Sequence, residues 1–336
     1  MPDIFVNEIE EITRQALSAH GANDWIAAEM ADAVAWAETR SNRICGLYYV
    51  ESYCQQLQSG RVSGTVEPVV TRPLASRIEV DASNGFAQPA FERALPMAIA
   101  AAKETGMVSV AIHRAHTCTA LGYFTEKAAR QGMICICMTN ASPIVAPPGG
   151  KTRVIGTNPM ACAVPSADGN IAMSFDQSTT TVALGRITMA KAAGEAIPSG
   201  WAVDAQGNPT TDPEAALTGS LTSLGGLEQG YKGWGFGLMV EMLAAGMTGG
   251  VASRDVKPLK APQGEPHGLG QFFMLIDPSA SPAFFDRLSQ VSDATAENEG
   301  ARMPGQNKQL KDPVDVPEAL WEQMIALSNG PAHADV

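Results

Sequence analysis

The stretch VIGTNPMACAVP, residues 154–165, sets a polar turn directly against an apolar strand. Gly156, Asn158 and Pro159 belong to the residue types that turn geometry favours. The small and β-branched residues that follow are typical of a buried strand. Turn chemistry does not account for Thr157, so the role of this corner, residues 156–159, has to be sought in the rest of the chain.

The overall composition indicates a globular protein. The chain has 336 residues, of which 45% are hydrophobic and 17% are charged, so it is long enough for one large domain or two. The formal charge of −12 argues against nucleic acid or an acidic membrane as a partner. The sequence contains no uncharged apolar stretch of about 18 residues and no secretory signal at its N-terminus. We therefore expect a cytoplasmic protein.

Cysteine and histidine spacing predicts no metal site. None of the six cysteines forms a CxxC pair, and the two in the apolar run 133–140 alternate as buried strand residues do. His113 and His116 have the spacing of helical ligands, but no third ligand lies near them in sequence. We expect reduced structural thiols. A nucleophilic Cys45 or Cys118, activated by His116, is a weaker alternative.

The periodicity of apolar residues predicts a mixed order of elements around the corner. Helices are predicted within the first sixty residues, and a β-α-β passage leads from residue 107 to residue 140. From residue 147 onward short strands alternate with turns rich in Gly, Pro and Asn, through 171–187 and 200–217. A helix over 233–250, a strand over 270–278 and a helix over 281–297 follow. Residues 250–268 are predicted to form a surface loop or flap.

No G-x-G-x-x-G sequence follows a strand at the head of a β-α-β unit, so the Rossmann fingerprint is missing. Four spaced segments nevertheless resemble the malate/L-lactate dehydrogenase family, which also contains ureidoglycolate, sulfolactate and Δ1-piperideine-2-carboxylate enzymes. The segments are residues 138–165, which include the corner, 174–217, 230–250 and 301–306. Their combination covers nearly the whole chain.

This resemblance implies an NAD(P)-dependent oxidoreductase that moves a hydride between nicotinamide and a small 2-oxo/2-hydroxy acid or cyclic 2-imino acid. It implies a mixed α/β, non-Rossmann fold in which a mostly antiparallel central sheet binds the cofactor, NAD(H) or NADP(H). We expect residues 1–72 and 290–336 to form a helical domain and residues 73–289 the cofactor-binding domain, with the substrate site at their interface. The implied partners are a small carboxylic acid substrate and a second copy of the chain in a homodimer.

The resemblance also assigns cofactor contacts, because four short sequences match the family's cofactor motifs. Gln306 departs from the last of them, where the family usually has Glu. The predicted cofactor-binding residues are His116, Thr117, Cys118, Thr119, Ala120, Asp176, Gln177, Ser178, Tyr231, Lys232, Arg302, Pro304 and Gly305. Lys232 would supply a point charge for a cofactor phosphate, although a solvated lysine is an equal alternative.

In the family the corner lines the active site, which answers the opening question. Thr157 would offer its hydroxyl to the substrate, and Asn158 would anchor the loop. The predicted catalytic residues are His116, Ser41, Asn42, Arg43, Thr157 and Arg186.

One family motif is broken in this chain. Hydride transfer to a carbonyl leaves an alkoxide that needs a proton donor, and the family places it in a Ser-His-Gly motif with an Arg four residues after the His. With the Tyr-Val pair at 49–50 as the reference, Ser41 falls on the His and Cys45 on the Arg. A one-residue gap instead pairs Asn42 with the His. The histidine is absent in both alignments.

Three explanations compete for this departure. His116 would serve as a replacement acid, since it matches the first position of a pair that lies beside the nicotinamide in the family. In the second explanation, the substrate is a 2-imino acid, whose iminium nitrogen already carries a proton, so that no separate proton donor is needed. In the third, the chain is a non-catalytic cofactor- or ligand-binding homologue. We favour retained chemistry on a changed substrate, with the carboxylate held by one of three arginines, Arg40, Arg43 or Arg186.

Overall fold

The computed structural model describes residues 2–306 and 308–331. Ten α-helices lie within these residues. They are α1 (Val6–Ala19), α2 (Asp24–Thr39), α3 (Val50–Gln58), α4 (Ala87–Thr105), α5 (Leu121–Ala129), α6 (Leu184–Ala193), α7 (Pro213–Thr218), α8 (Gly226–Glu241), α9 (Phe284–Ala296) and α10 (Glu318–Ser328). A π-helical turn, Met242–Gly246, extends α8.

Twelve strands lie in the same described part of the chain. They are β1 (Asp3–Ile4), β2 (Val69–Leu74), β3 (Arg77–Asp81), β4 (Met107–Ala115), β5 (Ile134–Thr139), β6 (Met160–Pro165), β7 (Ile171–Gln177), β8 (Ala202–Val203), β9 (Pro209–Thr210), β10 (Ser220–Leu221), β11 (Leu269–Ile276) and β12 (Val314–Asp315).

A seven-stranded sheet with the order β2-β3-β4-β11-β5-β6-β7 forms the centre. The pair β3–β4 is parallel, and the other neighbouring pairs of this sheet are antiparallel. The predicted mixed α/β class is confirmed. Helix α4 packs on β4 and α5 on β5 and β6, which buries the two cysteines of β5, Cys135 and Cys137, as predicted.

The N-terminal helices pack with the C-terminal one. A buried cluster joins Ile9, Leu17 and Met30 to Leu320 and Met324, and α1 contacts both α2 and α10. A smaller cluster, which the sequence did not suggest, lies between residues 145 and 221. The predicted division into a helical domain and a cofactor-binding domain stays a prediction. Within the described residues, no helix is both long and apolar enough to cross a membrane.

Two helices lie where short strands were predicted. Helix α6 begins inside the segment 171–187, and α7 begins inside 200–217 and ends at Thr218. Alanine-rich sequence after Leu184 favours a helix over a strand. Asp212 caps α7, since its side chain accepts a 2.9 Å hydrogen bond from the Glu214 amide, and Pro213 fits the first helical position. The predicted short strands of these two stretches are present as β7, β8 and β9, and the prediction was wrong only for the residues that form α6 and α7.

Candidate active site

The turn after α2 holds Cys45 in a fixed position. The buried Glu38 carboxylate accepts a 2.7 Å hydrogen bond from the Leu47 amide. Gly46 allows this contact, because a Cβ atom there would lie 2.2 Å from Glu38 Oε1. Cys45 donates its amide to the Asn42 carbonyl at 3.0 Å, and the Asn42 side chain lies close enough to the thiol to oppose the rise of its pKa.

The loop between β4 and α5, residues 116–120, meets this turn. The Thr117 side chain lies beside the Tyr49 hydroxyl, and the Thr117 amide donates to His267 Nδ1 at 3.1 Å. The Lys260 ammonium lies 4.7 Å from the centre of the Tyr49 ring. The N-terminal segment, the β4–α5 loop and the loop before β11 thus converge on one place.

We define the central recess by Cys45, Tyr49, Thr117, Asp176 and Lys260. Cys45 is partly exposed and Asp176 is exposed, yet protein surrounds both groups closely enough to shift their pKa values. Burial raises the pKa of the Cys45 thiol to about 12, and the charge of Asp176 adds to the rise. Burial also raises the pKa of Asp176, against the hydrogen bonds from the Leu121 and Gly122 amides. Titratable side chains that solvent reaches, but whose charged form the surrounding protein disfavours, are typical of a concave site.

These pKa shifts weigh against a nucleophilic cysteine. Burial raises the pKa of Cys118 to about 12 as well, so both candidate thiols stay protonated at neutral pH and lack the thiolate that attacks. Within the described residues, no group of three or more His, Cys, Asp or Glu side chains is placed to bind a metal ion.

His116 does not fit the predicted role of proton donor. Gln56 Nε2 donates to two carbonyls, Leu259 and Ala261, at 2.9 and 2.8 Å, so Gln56 Oε1 is the atom that faces His116 Nε2 at 2.5 Å. His116 therefore carries its proton on Nε2 and donates it to Gln56. Burial, with the positive charge that a protonated His267 would carry, lowers the pKa of His116 well below 6.5. The imidazole is neutral, and its one N–H proton, on Nε2, is donated to Gln56 and not to a substrate.

The corner is anchored as predicted for Asn158. The buried Asn158 amide donates to the Gly237 carbonyl at 2.9 Å and to Glu241 Oε2 at 2.8 Å. Ser253 donates to the same carboxylate through its amide at 2.7 Å and its hydroxyl at 2.5 Å. Thr157 is partly exposed, and its carbonyl accepts from the Thr179 amide and hydroxyl. The network leaves the Thr157 side chain at the surface of a rigid turn.

The three predicted arginines lie in different surroundings. Arg40 forms a buried ion pair with Glu126 at 2.5 Å, over the Trp36 ring, so the proposal that it holds a substrate carboxylate is wrong. Arg43 donates to the carbonyl and carboxylate of Asp315 in β12, which gives it a structural partner in place of a substrate. Arg186 is exposed, and within the described residues no carboxylate lies within ion-pair distance of it.

The two residues proposed to replace the missing histidine have local roles in the turn. Ser41 is exposed in a left-handed conformation with φ of 59°, and its amide donates to Glu38. Asn42 donates its amide to the Ala37 carbonyl, and its side chain lies beside the Cys45 thiol. Neither side chain is a strong acid, so neither can replace the protonated imidazole.

The predicted cofactor residues lie on four segments. Asp176 accepts a 2.9 Å hydrogen bond from the Gly122 amide in the first turn of α5, whereas Gln177 is exposed and Ser178 is held by Thr180. The loop residues Thr119 and Ala120 lead into α5, and Thr119 has a φ of 54°. The remaining residues lie on two further segments: Tyr231 and Lys232 on α8, and Arg302, Pro304 and Gly305 near β7.

The α8 pair and the C-terminal segment lie at the surface. Tyr231 and Lys232 are both exposed in the second turn of α8. The Pro304 carbonyl accepts from the Ser174 amide at 2.9 Å, and Gly305 packs against the same residue. Arg302 is exposed. This arrangement places the C-terminal segment along β7, the strand that ends at Asp176.

Sequence reasoning missed five residues of the site. They are Gln56, Arg61, Glu241, Lys260 and His267. All five act through partners distant in the chain. Glu241 lies inside the segment 230–250 that carries part of the family resemblance, whereas the other four lie outside every such segment. For Lys260 and His267 the available signal was the length of the 250–268 segment, since long loops are often functional.

Comparison with known proteins identifies the family. The family profile described as malate/L-lactate dehydrogenase matches residues 4–324. The chain belongs to that family. The (2R)-3-sulfolactate dehydrogenase (NADP(+)) of Chromohalobacter salexigens is 36% identical over 329 residues, which cover 96% of this chain and 97% of that protein.

Two further relatives of this chain carry names that give a cyclic imino acid as the substrate. The Δ1-pyrroline-2-carboxylate reductase of Ancylobacter novellus is 34% identical over 95% of this chain and 96% of its own length. The crystal structure of Δ1-piperideine-2-carboxylate reductase from Pseudomonas syringae pvar. tomato matches with a TM-score of 0.89 and 31% identity, over 97% of this chain and 100% of that one.

Family membership confirms the predicted class of activity. The chain is an NAD(P)-dependent oxidoreductase of small acids or cyclic imino acids. The comparisons give no support to the alternative of a non-catalytic binding protein.

Proposed function

We propose that this protein reduces a small cyclic 2-imino acid of the Δ1-pyrroline-2-carboxylate type. The observation that carries the proposal is the state of His116, a neutral imidazole whose proton is given to Gln56. A ketone substrate needs a positioned acid to protonate the developing alkoxide. An iminium substrate becomes a neutral amine without that step. A site without a charged imidazole at this position therefore suits the imino acid better.

The residues near α8 fit a nicotinamide cofactor. Two depressions flank the first turn of α8, and Gly226 and Leu227 line both. Lys232 lies one turn further on, with no carboxylate of the described residues within ion-pair distance, which suits a phosphate group. Bound NAD(P)H supplies the hydride. The protein has to orient the substrate and exclude water around it.

The corner and one arginine supply the proposed orientation. Thr157 would donate its hydroxyl to the substrate from the turn that Asn158 and Glu241 hold rigid. Arg186 follows Gly185, which packs against Ile44 beside the Cys45 turn. Of the three arginines considered for the substrate carboxylate, Arg186 is the one without a carboxylate partner among the described residues, so it stays a candidate for binding an acid.

The same proposal includes a homodimer in the cytoplasm. Leu227, Tyr231, Leu238 and Met242 form an exposed apolar stripe along α8 and its π-helical turn, and such stripes often cover one another between subunits. A reducing compartment suits the six free cysteines.

A substrate panel tests the proposed reaction. Purified protein is assayed with NADH and with NADPH against Δ1-pyrroline-2-carboxylate, Δ1-piperideine-2-carboxylate, pyruvate, oxaloacetate and 3-sulfopyruvate. We expect kcat/KM for a cyclic imino acid to exceed that for each ketone by at least about tenfold, since general acid catalysis contributes roughly 10²–10⁴-fold where it is needed. Faster reduction of 3-sulfopyruvate would contradict the proposal and favour a sulfolactate-type reaction.

A further inference from the structure

The loop before β11 is tied firmly to the N-terminal segment. Arg61 is 2% exposed, and its guanidinium donates to the carbonyls of Pro258, Ala261 and Glu265 at 3.0, 2.6 and 3.0 Å. Gln56 donates to Leu259 and again to Ala261. Buried charged donors that satisfy several main-chain carbonyls fix the conformation of a loop. The segment 258–265 is therefore a rigid part of the site.

Lys260 lies in the middle of this segment. Its side chain is exposed and extends over Tyr49, with Nζ 4.7 Å from the ring centre. The ammonium is close enough to Cys45 to act on the thiol electrostatically. Within the described residues, no carboxylate lies within 4.0 Å of it. A positive charge is thus held at the central recess without an anionic partner.

Three arginines of the N-terminal segment have partners of their own, whereas Arg186 on α6 and Lys308, which acts electrostatically on Asp176, have no described carboxylate within ion-pair distance. Arg40 is paired with Glu126 and Arg43 with Asp315, while Arg61 is turned toward the loop carbonyls. A 2-imino acid carries a carboxylate next to its reacting carbon, so the site needs a cation beside that carbon. Lys260 combines the charge, the exposure and the fixed main chain that such a contact requires.

We propose that Lys260 binds the substrate carboxylate and sets the specificity of the recess for 2-carboxylated substrates. The inference rests on the proposed function, because the acid it names is the substrate of that reaction. Tyr49 supports the lysine through its ring face, and Arg61 and Gln56 act as positioning residues that hold its main chain.

The test crosses a lysine variant with a substrate that lacks the carboxylate. Lys260→Met and wild-type protein are assayed with Δ1-pyrroline-2-carboxylate and with Δ1-pyrroline. A lost charged hydrogen bond should lower kcat/KM for the carboxylated imine by about 10- to 100-fold, mostly through KM, and leave the rate with Δ1-pyrroline unchanged. Lys260→Arg should recover part of the loss. Lys257→Met, an exposed lysine of the same loop, is the matched control and should behave as wild type.

A binding measurement separates this inference from the proposed reaction. Calorimetry with pyrrole-2-carboxylate and pyrrole-2-carboxamide, in the presence of NADP(+), reports carboxylate recognition without turnover. We expect wild-type protein to prefer the carboxylate and Lys260→Met to lose that preference. If wild type reduces no cyclic imine but shows this pattern, the reaction is wrong and the carboxylate site stands. An unchanged preference in Lys260→Met, or an equal loss in Lys257→Met, would overturn the role of Lys260.

Discussion

His116 and His267 form a stacked pair of neutral imidazoles, with ring centres 4.0 Å apart. The Thr117 amide donates to His267 Nδ1, so His267 carries its proton on Nε2, as His116 does. Burial, with the nearby charge of Arg61, lowers the pKa of His267 to about 3. The pair is therefore a hydrogen-bonded wall of the site that holds the β4–α5 loop, and it is not a source of protons at neutral pH.

This pair makes stability dependent on pH. In the unfolded chain each imidazole binds a proton below about pH 6.5, whereas in the folded protein His267 does so only near pH 3. The unfolded state therefore binds more protons across this window. The free energy of unfolding should fall by about 1.4 kcal/mol per pH unit for each imidazole as the pH drops below about 6.

Chemical denaturation of wild type and His267→Asn between pH 7 and pH 4 checks this prediction. The Asn oxygen can still accept from the Thr117 amide, but it does not titrate. The pH dependence of the variant should be shallower by about 1.4 kcal/mol per pH unit. Parallel curves for the two proteins would refute the assignment of a depressed pKa to His267.

At the scale of single residues, the sequence indicates which residue types are present but not which contacts they make. The sequence made Arg40 a candidate active-site arginine, yet it is paired with Glu126, 86 residues away in the sequence. Lys260 lies in a loop without any motif, and the tertiary contacts of Arg61 and Gln56 place it at the recess. Asn158 was predictable because it belongs to a short turn whose geometry is local.

At the scale of elements, the corner depends on the junction between α8 and the segment that follows it. Glu241 ends α8 as a buried carboxylate, and its donors come from Asn158 and Ser253. A buried carboxylate is stable only while such donors satisfy it. The position of Thr157 therefore depends on a contact 83 residues distant in the chain.

Asn158→Ala should break this junction. It removes the two hydrogen bonds that Asn158 donates and the acceptor that its Oδ1 offers to the Ser253 hydroxyl. One oxygen of Glu241 is left with fewer donors, which should lower the free energy of unfolding by roughly 3 kcal/mol. Activity should fall as well, since the turn that carries Thr157 loses its anchor. Urea denaturation measures the first effect and steady-state kinetics the second. Asn170→Ala, an exposed residue that bonds Asp168 in a turn, is the control, and a comparable loss there would contradict the argument.

The elements that the sequence predicted are those with strong local patterns. Strand β4 and helix α5 follow from apolar periodicity and a clear boundary at the loop 116–120. Helix α6 was missed because it buries one residue, Ile187, so no amphipathic pattern marks it. The run of β-branched residues before α6 favoured a strand, but Thr179 and Thr180 are buried in a turn. The Thr179 hydroxyl donates to the Thr157 carbonyl of the corner, and the Thr180 hydroxyl donates to the Val182 carbonyl.

At the scale of the whole molecule, the sheet brings distant segments together at the recess. Strand β11, from the C-terminal half, lies between β4 and β5. The loop that precedes β11 carries Lys260 and His267, so insertion of this strand places both residues beside the β4–α5 loop. Sequence order alone cannot predict such an insertion, because the antiparallel pairs of β11 join residues more than 130 positions apart.

The apolar stripe on α8 carries the last prediction. Leu227, Tyr231, Leu238 and Met242 are between 37% and 60% exposed, and their spacing places them on one side of the helix, away from the buried residues Gly233, Gly237 and Val240. Covering this stripe with the same stripe of a second chain gives a closed pair of identical surfaces. We therefore expect a dimer at micromolar concentration.

The double variant Leu238→Asp/Met242→Asp should be a monomer, because two charges would be buried at the contact. Light scattering coupled to size exclusion measures both masses. Met189→Asp, on α6 and 67% exposed, is the control and should stay dimeric. A wild-type monomer, or a double variant that remains a dimer, would exclude this stripe as the interface.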